Sequence, residues 1–223
     1  FQLDVPQILE QATAKTKIIF IPTPNNPSGN RFPLEDLKKI VQDFPGLVVI
    51  DEAYAEFSLG ETAIDWLEEY QNVVVLQTFS KAQGLAGARV GMAFAHSGIV
   101  EVLNKIKAPY NLNVLSQKAI FERLDNAGQV KKEVELLLEQ KRVFVSQIQE
   151  VSFIQKIYPS DANFILIRFD DSQMRYDQLI KKGIVVRNPS NQYLCENTLR
   201  ITLGTETENK ALIAAFKAMD QQL

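Results

Sequence analysis

Apolar residues along this chain fall into short unbroken runs and longer periodic ones. The unbroken runs are Ile18-Ile19-Phe20-Ile21, Leu47-Val48-Val49-Ile50, Val73-Val74-Val75-Leu76 and the less regular Val90-Gly91-Met92-Ala93-Phe94-Ala95. Strands that lack polar alternation are covered on both faces, so these four predict a largely parallel α/β sheet. Between the first two, Leu34, Leu37, Ile40, Val41 and Phe44 recur with the helical period. They predict a helix that begins near Pro33, where a missing N–H costs nothing. Residues 61–69 predict another, burying Trp66 and Leu67. His96 is expected to begin a turn and to cap with Ser97.

Beyond His96 the pattern is helical, over 99–106, 114–124 and 130–148, with a break at Ala108-Pro109-Tyr110-Asn111. The third helix carries Val130, Val134, Leu137, Leu138, Val145 and Ile148 on one side. At 1.5 Å per residue it runs about 28 Å, enough to carry the chain between domains. From 151 onward a smaller α+β unit is predicted. Its strands are 162–169, 184–187 and 199–203, and its first helix, 172–182, is stopped by Gly183. Thr205 and Glu208 predict a capping box that opens the last helix, whose Leu212, Ala215, Phe216 and Met219 face inward. The expected organisation is a large domain over 1–125, a connecting helix over 126–150 and a small domain over 151–223.

Composition narrows the chemistry. The 223 residues carry 24 Lys plus Arg against 27 Asp plus Glu, a net charge of -3 that is too balanced for an electrostatic nucleic-acid binder. A single cysteine, Cys195, and a single histidine, His96, leave no disulfide, no thiolate cluster and no His-based metal centre, so no metal site is expected. No run approaches 18 apolar residues, and no leader is recognisable, so no membrane partner and a cytoplasmic location are expected. The first residue is Phe1, which suggests a start partway through a longer protein.

Ligands of open α/β sheets bind beyond the carboxyl ends of the strands. Three such ends are unusually polar: Asn26 in Asn-Asn-Pro-Ser-Gly, Asp51 with Tyr54 three residues on, and Thr78-Phe79-Ser80-Lys81 with Arg89 eight residues further. Each has an ordinary reading. Asn26 can start a turn, Asp51 can cap a helix or bind a metal, Lys81 can be solvated, and Arg89 can pair with a surface acid. Together they match the demands of pyridoxal phosphate. An amine must capture its aldehyde, a carboxylate must keep the pyridine nitrogen protonated, an amide and a phenol must hold the ring oxygen, and a hydroxyl with a guanidinium must bind the phosphate.

These segments, with Ser80-Lys81-Ala82-Gln83-Gly84-Leu85-Ala86-Gly87-Ala88-Arg89-Val90-Gly91 the most specific, resemble the fold-type I pyridoxal-phosphate aminotransferases. Further matches are Pro109-Tyr110-Asn111-Leu112-Asn113, Asn163-Phe164 and Leu199-Arg200-Ile201-Thr202-Leu203-Gly204-Thr205. Asn-Pro-Ser-Gly replaces the commoner Asn-Pro-Thr-Gly and keeps the amide. Within that family the chain resembles the branch that exchanges an amino group between L-histidinol phosphate and 2-oxoglutarate.

The resemblance implies a fold made of the C-terminal part of a large, mainly parallel α/β domain plus a small α+β domain. It implies pyridoxal 5'-phosphate as cofactor, small-molecule amino donor and acceptor, and a homodimer. Lys81 takes the role of Schiff-base lysine and proton-transfer base. Asp51 pairs with the pyridinium nitrogen, Asn26 and Tyr54 with the ring oxygen, and Thr78 and Arg89 with the phosphate. Arg200 grips the substrate anion with Arg187 assisting, although Arg187 also reads as a surface residue at a strand end. Tyr110 and Asn111 are expected at a structural or positioning site near the domain junction. The same motifs serve aromatic amino-acid aminotransferases and threonine-phosphate decarboxylases, and a fragment acting only as a binding or dimerisation module is a further alternative. The cofactor reading requires Lys81 and Asp51 to face one crevice.

Overall fold

In the computed structural model, which describes residues 1–58 and 60–221, the chain divides into two units. The first comprises residues 2–25 and 31–131. The second comprises residue 1, residues 26–30 and residues from 132 onward. Among the described residues no helix is long and apolar enough to cross a membrane.

The first unit opens with α1 (Val5–Gln11), capped by the Asp4 carboxylate, which accepts from Gln7 N at 3.1 Å. Its sheet is β1 (Ile18–Pro22), β2 (Leu47–Asp51), β3 (Val73–Thr78) and β4 (Gly91–Ala95), side by side in that order. β1, β2 and β3 are parallel and β4 is antiparallel to β3. The helix α2 (Leu34–Asp43) has Pro33 as its N-cap and buries Leu37, Ile40 and Val41 against one face of the sheet. That face presents Val48, Ile50, Val73 and Val75, joined in the core by Trp66 and Val5. The expected 61–69 helix is instead a short 3₁₀ turn, Ala63–Trp66, with Thr62 as its cap. Trp66 is buried in it as predicted. On the other face Phe20 of the edge strand β1 is 65% exposed. His96 caps α3 (Ser97–Ile106) through its ring, accepting from Gly98 N at 3.4 Å. α4 (Val114–Asp125) follows, capped by Asn113.

α5 (Ala127–Ile148) begins in the first unit and runs through the second. The second unit's sheet is antiparallel, in the order β5 (Ile154–Ile157), β6 (Phe164–Phe169), β7 (Thr198–Thr202). Ile165, Ile167, Leu199 and Ile201 alternate onto one face. They meet Phe144 and Ile148 of α5, Leu179 of α6 (Ser172–Lys181) and Phe216 of α7 (Glu206–Asp220). The Thr205–Glu208 capping box at the start of α7 is present.

The strand expected over 184–187 does not form. Gly183, at φ +76°, is the left-handed residue of a Schellman closure of α6. Gly183 N donates to Ile180 O and Ile184 N to Leu179 O. The backbone of Ile184 is thereby committed to the helix end, and only Arg187 bridges to β7.

Candidate active site

In the first unit, β2 and β3 run parallel as neighbours, so their carboxyl ends lie at one edge of the sheet. Asp51 closes β2, opposite Leu76 of β3 and Pro22 of β1. Side chains alternate along a strand, so Asp51, Leu76 and Thr78 project from one face while Glu52 and Gln77 take the other. Glu52 is 2% exposed and accepts from Thr62 Oγ1 (2.6 Å), Ala63 N (2.7 Å) and Gln77 Nε2 (3.1 Å). Its partners thus tie the 3₁₀ turn to the sheet, which leaves Asp51 as the acid of the open face. Among the described residues the Asp51 carboxylate accepts one hydrogen bond, from Ala53 N at 3.0 Å.

Past Thr78 the chain turns. Thr78 Oγ1 accepts from Ser80 N at 3.0 Å, and Lys81 O accepts from Gly84 N at 2.9 Å, with Gly84 at φ +70°. The turn delivers the Lys81 ammonium over the ring of Tyr54, 4.9 Å from its centroid. Lys81 makes no ion pair among the described residues, so its charge and that of Asp51 are not spent on each other. Arg89 is left-handed at φ 56°, a conformation that is unusual for a residue with a side chain. One of its guanidinium nitrogens donates to Ala86 O at 3.0 Å. Asp51, Tyr54, Thr78, Lys81 and Arg89 all belong to this unit.

Two acids lie in the same segment. Besides Glu52, Glu56 has Oε2 buried without a partner. Burial first, and then the charge of Glu52, push its carboxyl above the ordinary value against an opposing backbone hydrogen bond. Glu56 has no signature in the sequence, since its spacing from Asp51 matches no recognisable motif.

The remaining candidates belong to the second unit. Arg187 and Arg200 exchange both backbone hydrogen bonds, Arg187 N to Arg200 O at 3.1 Å and Arg200 N to Arg187 O at 2.8 Å. They form a directly opposed antiparallel pair whose side chains leave the same face. Both line a cavity of about 800 Å³. The Arg200 guanidinium lies 5.0 Å from the ring centroid of Phe164 and donates through one nitrogen to Asn26 Oδ1 at 2.5 Å. Its Nε is buried without a partner. Asn26 therefore meets Arg200, 174 residues away in sequence. Tyr110 is fully exposed at φ 54° and has no part in either cluster.

The aminotransferase class I and II family model matches residues 1–216. The chain is 49% identical over 220 residues to a histidinol-phosphate aminotransferase of Flavobacterium johnsoniae, covering 99% of this chain and 63% of that protein. It is 50% identical over 222 residues to that of Christiangramia forsetii, covering 100% and 63%. Thus the chain spans 63% of the length of these curated relatives. Among solved structures, histidinol-phosphate aminotransferase from Clostridium acetobutylicum superposes with a TM-score of 0.92 at 21% identity, covering 100% of this chain and 69% of that one. The enzyme from Sinorhizobium meliloti in complex with pyridoxal-5'-phosphate gives 0.90 at 24%, covering 99% and 62%. The polar strand ends thus sit in a fold already known from aminotransferases, and a family model that spans nearly the whole chain settles the kinship: this chain belongs to the aminotransferase class I and II family.

Proposed function

We propose that the protein containing this chain is a pyridoxal-phosphate-dependent transaminase that exchanges an amino group between L-histidinol phosphate and 2-oxoglutarate. The relatives at 49% and 50% identity are named histidinol-phosphate aminotransferases, which supports the amino-group exchange at histidinol phosphate. The observation that carries the substrate class is the opposed pair Arg187 and Arg200. Like charges directly opposite in an antiparallel pair repel, and a bound anion relieves that repulsion. A guanidinium also accommodates the oxygens of a phosphate or a carboxylate equally well, as alternating use of a phosphate ester and a dicarboxylate requires.

The donor set fits the cofactor. Asp51 keeps an acceptor oxygen for a protonated ring nitrogen, and Lys81 makes no ion pair among the described residues. Thr78 and Arg89 offer a hydroxyl and a guanidinium for a phosphate. When bound, the cofactor supplies an aldehyde that captures amines and a ring that accepts negative charge from the substrate's α-carbon. Lys81 then holds and moves the proton, with the Tyr54 ring under its ammonium confining where it travels. Asn26 holds the ring oxygen and keeps Arg200 oriented. The reading includes a homodimer, for which α3 and α4 offer outward Ile106, Val114, Leu115 and Phe121.

The test is transfer from glutamate to imidazole-acetol phosphate by the full-length protein, with phenylpyruvate and unphosphorylated imidazole-acetol as comparators. Only the phosphate ester should be used efficiently. Losing a charged hydrogen bond worth about 2 kcal/mol should raise KM for that ester about thirtyfold in Arg200→Ala, and by less in Arg187→Ala. Equal use of the unphosphorylated ketone, or an unchanged KM in Arg200→Ala, would overturn the assignment.

A further inference from the structure

The segment 26–30 is far from residues 132 onward in sequence, yet it belongs to their unit. Its ends are fixed differently. Asn26 meets Arg200, whereas Gly29 rests on the turn that precedes β6. Gly29 O accepts from Asp161 N at 2.7 Å. A β-carbon on Gly29 would lie 2.6 Å from Ser160 Oγ and 2.9 Å from Ser160 Cβ, and its φ is +82°. A side chain at this position would collide with that of Ser160, and the positive φ also favours glycine.

Beneath that turn lies Lys141 of α5. Its ammonium donates to Ser160 O and to Ala162 O, each at 2.8 Å. Ser160 is held further: its hydroxyl accepts from Ala162 N at 3.1 Å and donates to Phe164 O. Phe164 is in turn the residue against which Arg200 lies. Burial pushes the Lys141 ammonium below its ordinary value, and the charge of Asp161 opposes this. A half-buried lysine that bridges two carbonyls is an expensive arrangement, and a fixed turn is what it secures.

We propose that Lys141 is a positioning residue: by pinning the Ser160–Ala162 turn on which Gly29 rests, it sets the place of the Asn26 amide at Arg200. This rests on the reading of Asn26 as a cofactor contact. Lys141 itself touches neither cofactor nor substrate and acts through two backbone contacts.

The experiment is hydrogen exchange on full-length wild type, Lys141→Met and Lys141→Arg, paired with titration by pyridoxal 5'-phosphate in each and in Asn26→Ala backgrounds. Lys141→Met should speed exchange about tenfold in peptides covering 26–30 and 158–163 while leaving β6, β7 and α7 protected. It should also weaken cofactor binding several-fold, with no further loss once Asn26→Ala is present, and Lys141→Arg should restore both. Unchanged exchange in 26–30, exchange raised throughout the unit, failure of Lys141→Met to fold, or losses that add in the Asn26→Ala background would each overturn the proposal. If the wild type binds no cofactor, the functional reading falls and the exchange result alone decides the positioning claim.

Discussion

Lys81→Ala is expected to lower the rate of amino transfer in the full-length protein by about 10⁴-fold, the upper range for a lost proton-transfer group. The fold should be indifferent to the change. The turn around Lys81 is closed by its backbone carbonyl, which takes Gly84 N, and this bond survives any side chain. What disappears is a cation lying over Tyr54 at 4.9 Å, worth about 1 kcal/mol or less at a partly exposed site. Borohydride reduction followed by peptide mass spectrometry should find the cofactor joined at residue 81 in the wild type and nowhere in the variant. Affinity contributed by Asp51, Thr78 and Arg89 should persist as reversible binding. A cofactor adduct on another lysine, or a rate within tenfold of wild type, would remove Lys81 from its proposed role.

The parts of this reading that the sequence carried were those in which local chemistry and global placement coincide. Val73-Val74-Val75 and Val48-Val49-Ile50 read as buried strands, and they are. Thr205 and Glu208 close their box within one helical turn, so no distant partner is needed. Ile184-Val185-Val186-Arg187 looked equally strand-like, but Gly183 and Ile184 are used by the helix before them. β5 is not legible in the sequence because a register shift between Ile154 and Lys156 breaks its alternation. α1 leaves no periodic signal because Val5 is its one buried residue among those described.

The candidate site shows the same division. Asp51, Thr78 and Lys81 announced themselves as polar residues directly after apolar runs. The meeting of Asn26 with Arg200 is long-range and has no local signature. Lys141 did leave a trace: it occupies the place between Leu138 and Val145 where the apolar side of α5 would otherwise continue. A charge on that side marks a residue whose ammonium must find acceptors in the fold.

Another inward charge of the second unit, Arg175, should give a lopsided mutational result. Arg175 of α6 is 1% exposed, whereas its partner Asp170 is 39% exposed by side chain. The guanidinium donates to Asp170 twice, at 3.0 and 2.6 Å, donates to Gln178 at 3.1 Å, and lies 4.2 Å from the Phe153 ring centroid. Asp170→Ala leaves a buried cation short of its acid and should cost about 3 kcal/mol, the lower end for a broken buried pair because the carboxylate itself already faces water. Arg175→Met leaves an acid that water can solvate and fills the space with an apolar chain, so it should cost about 1 kcal/mol or less. Urea unfolding of the two variants checks the ordering, and equal losses would contradict it. Acid adds a second check. Hydrogen bonding from Arg175 is the main cause holding the Asp170 carboxyl below its ordinary 3.8. A group whose value is lowered on folding contributes stability that is complete above the unfolded value and fades as pH falls through the folded one. The stability gap between wild type and Asp170→Ala should therefore be constant near neutrality and shrink below about pH 4, where the unfolded acid takes up its proton first. A gap that widened in acid would mean that Arg175 is held by something other than this carboxylate.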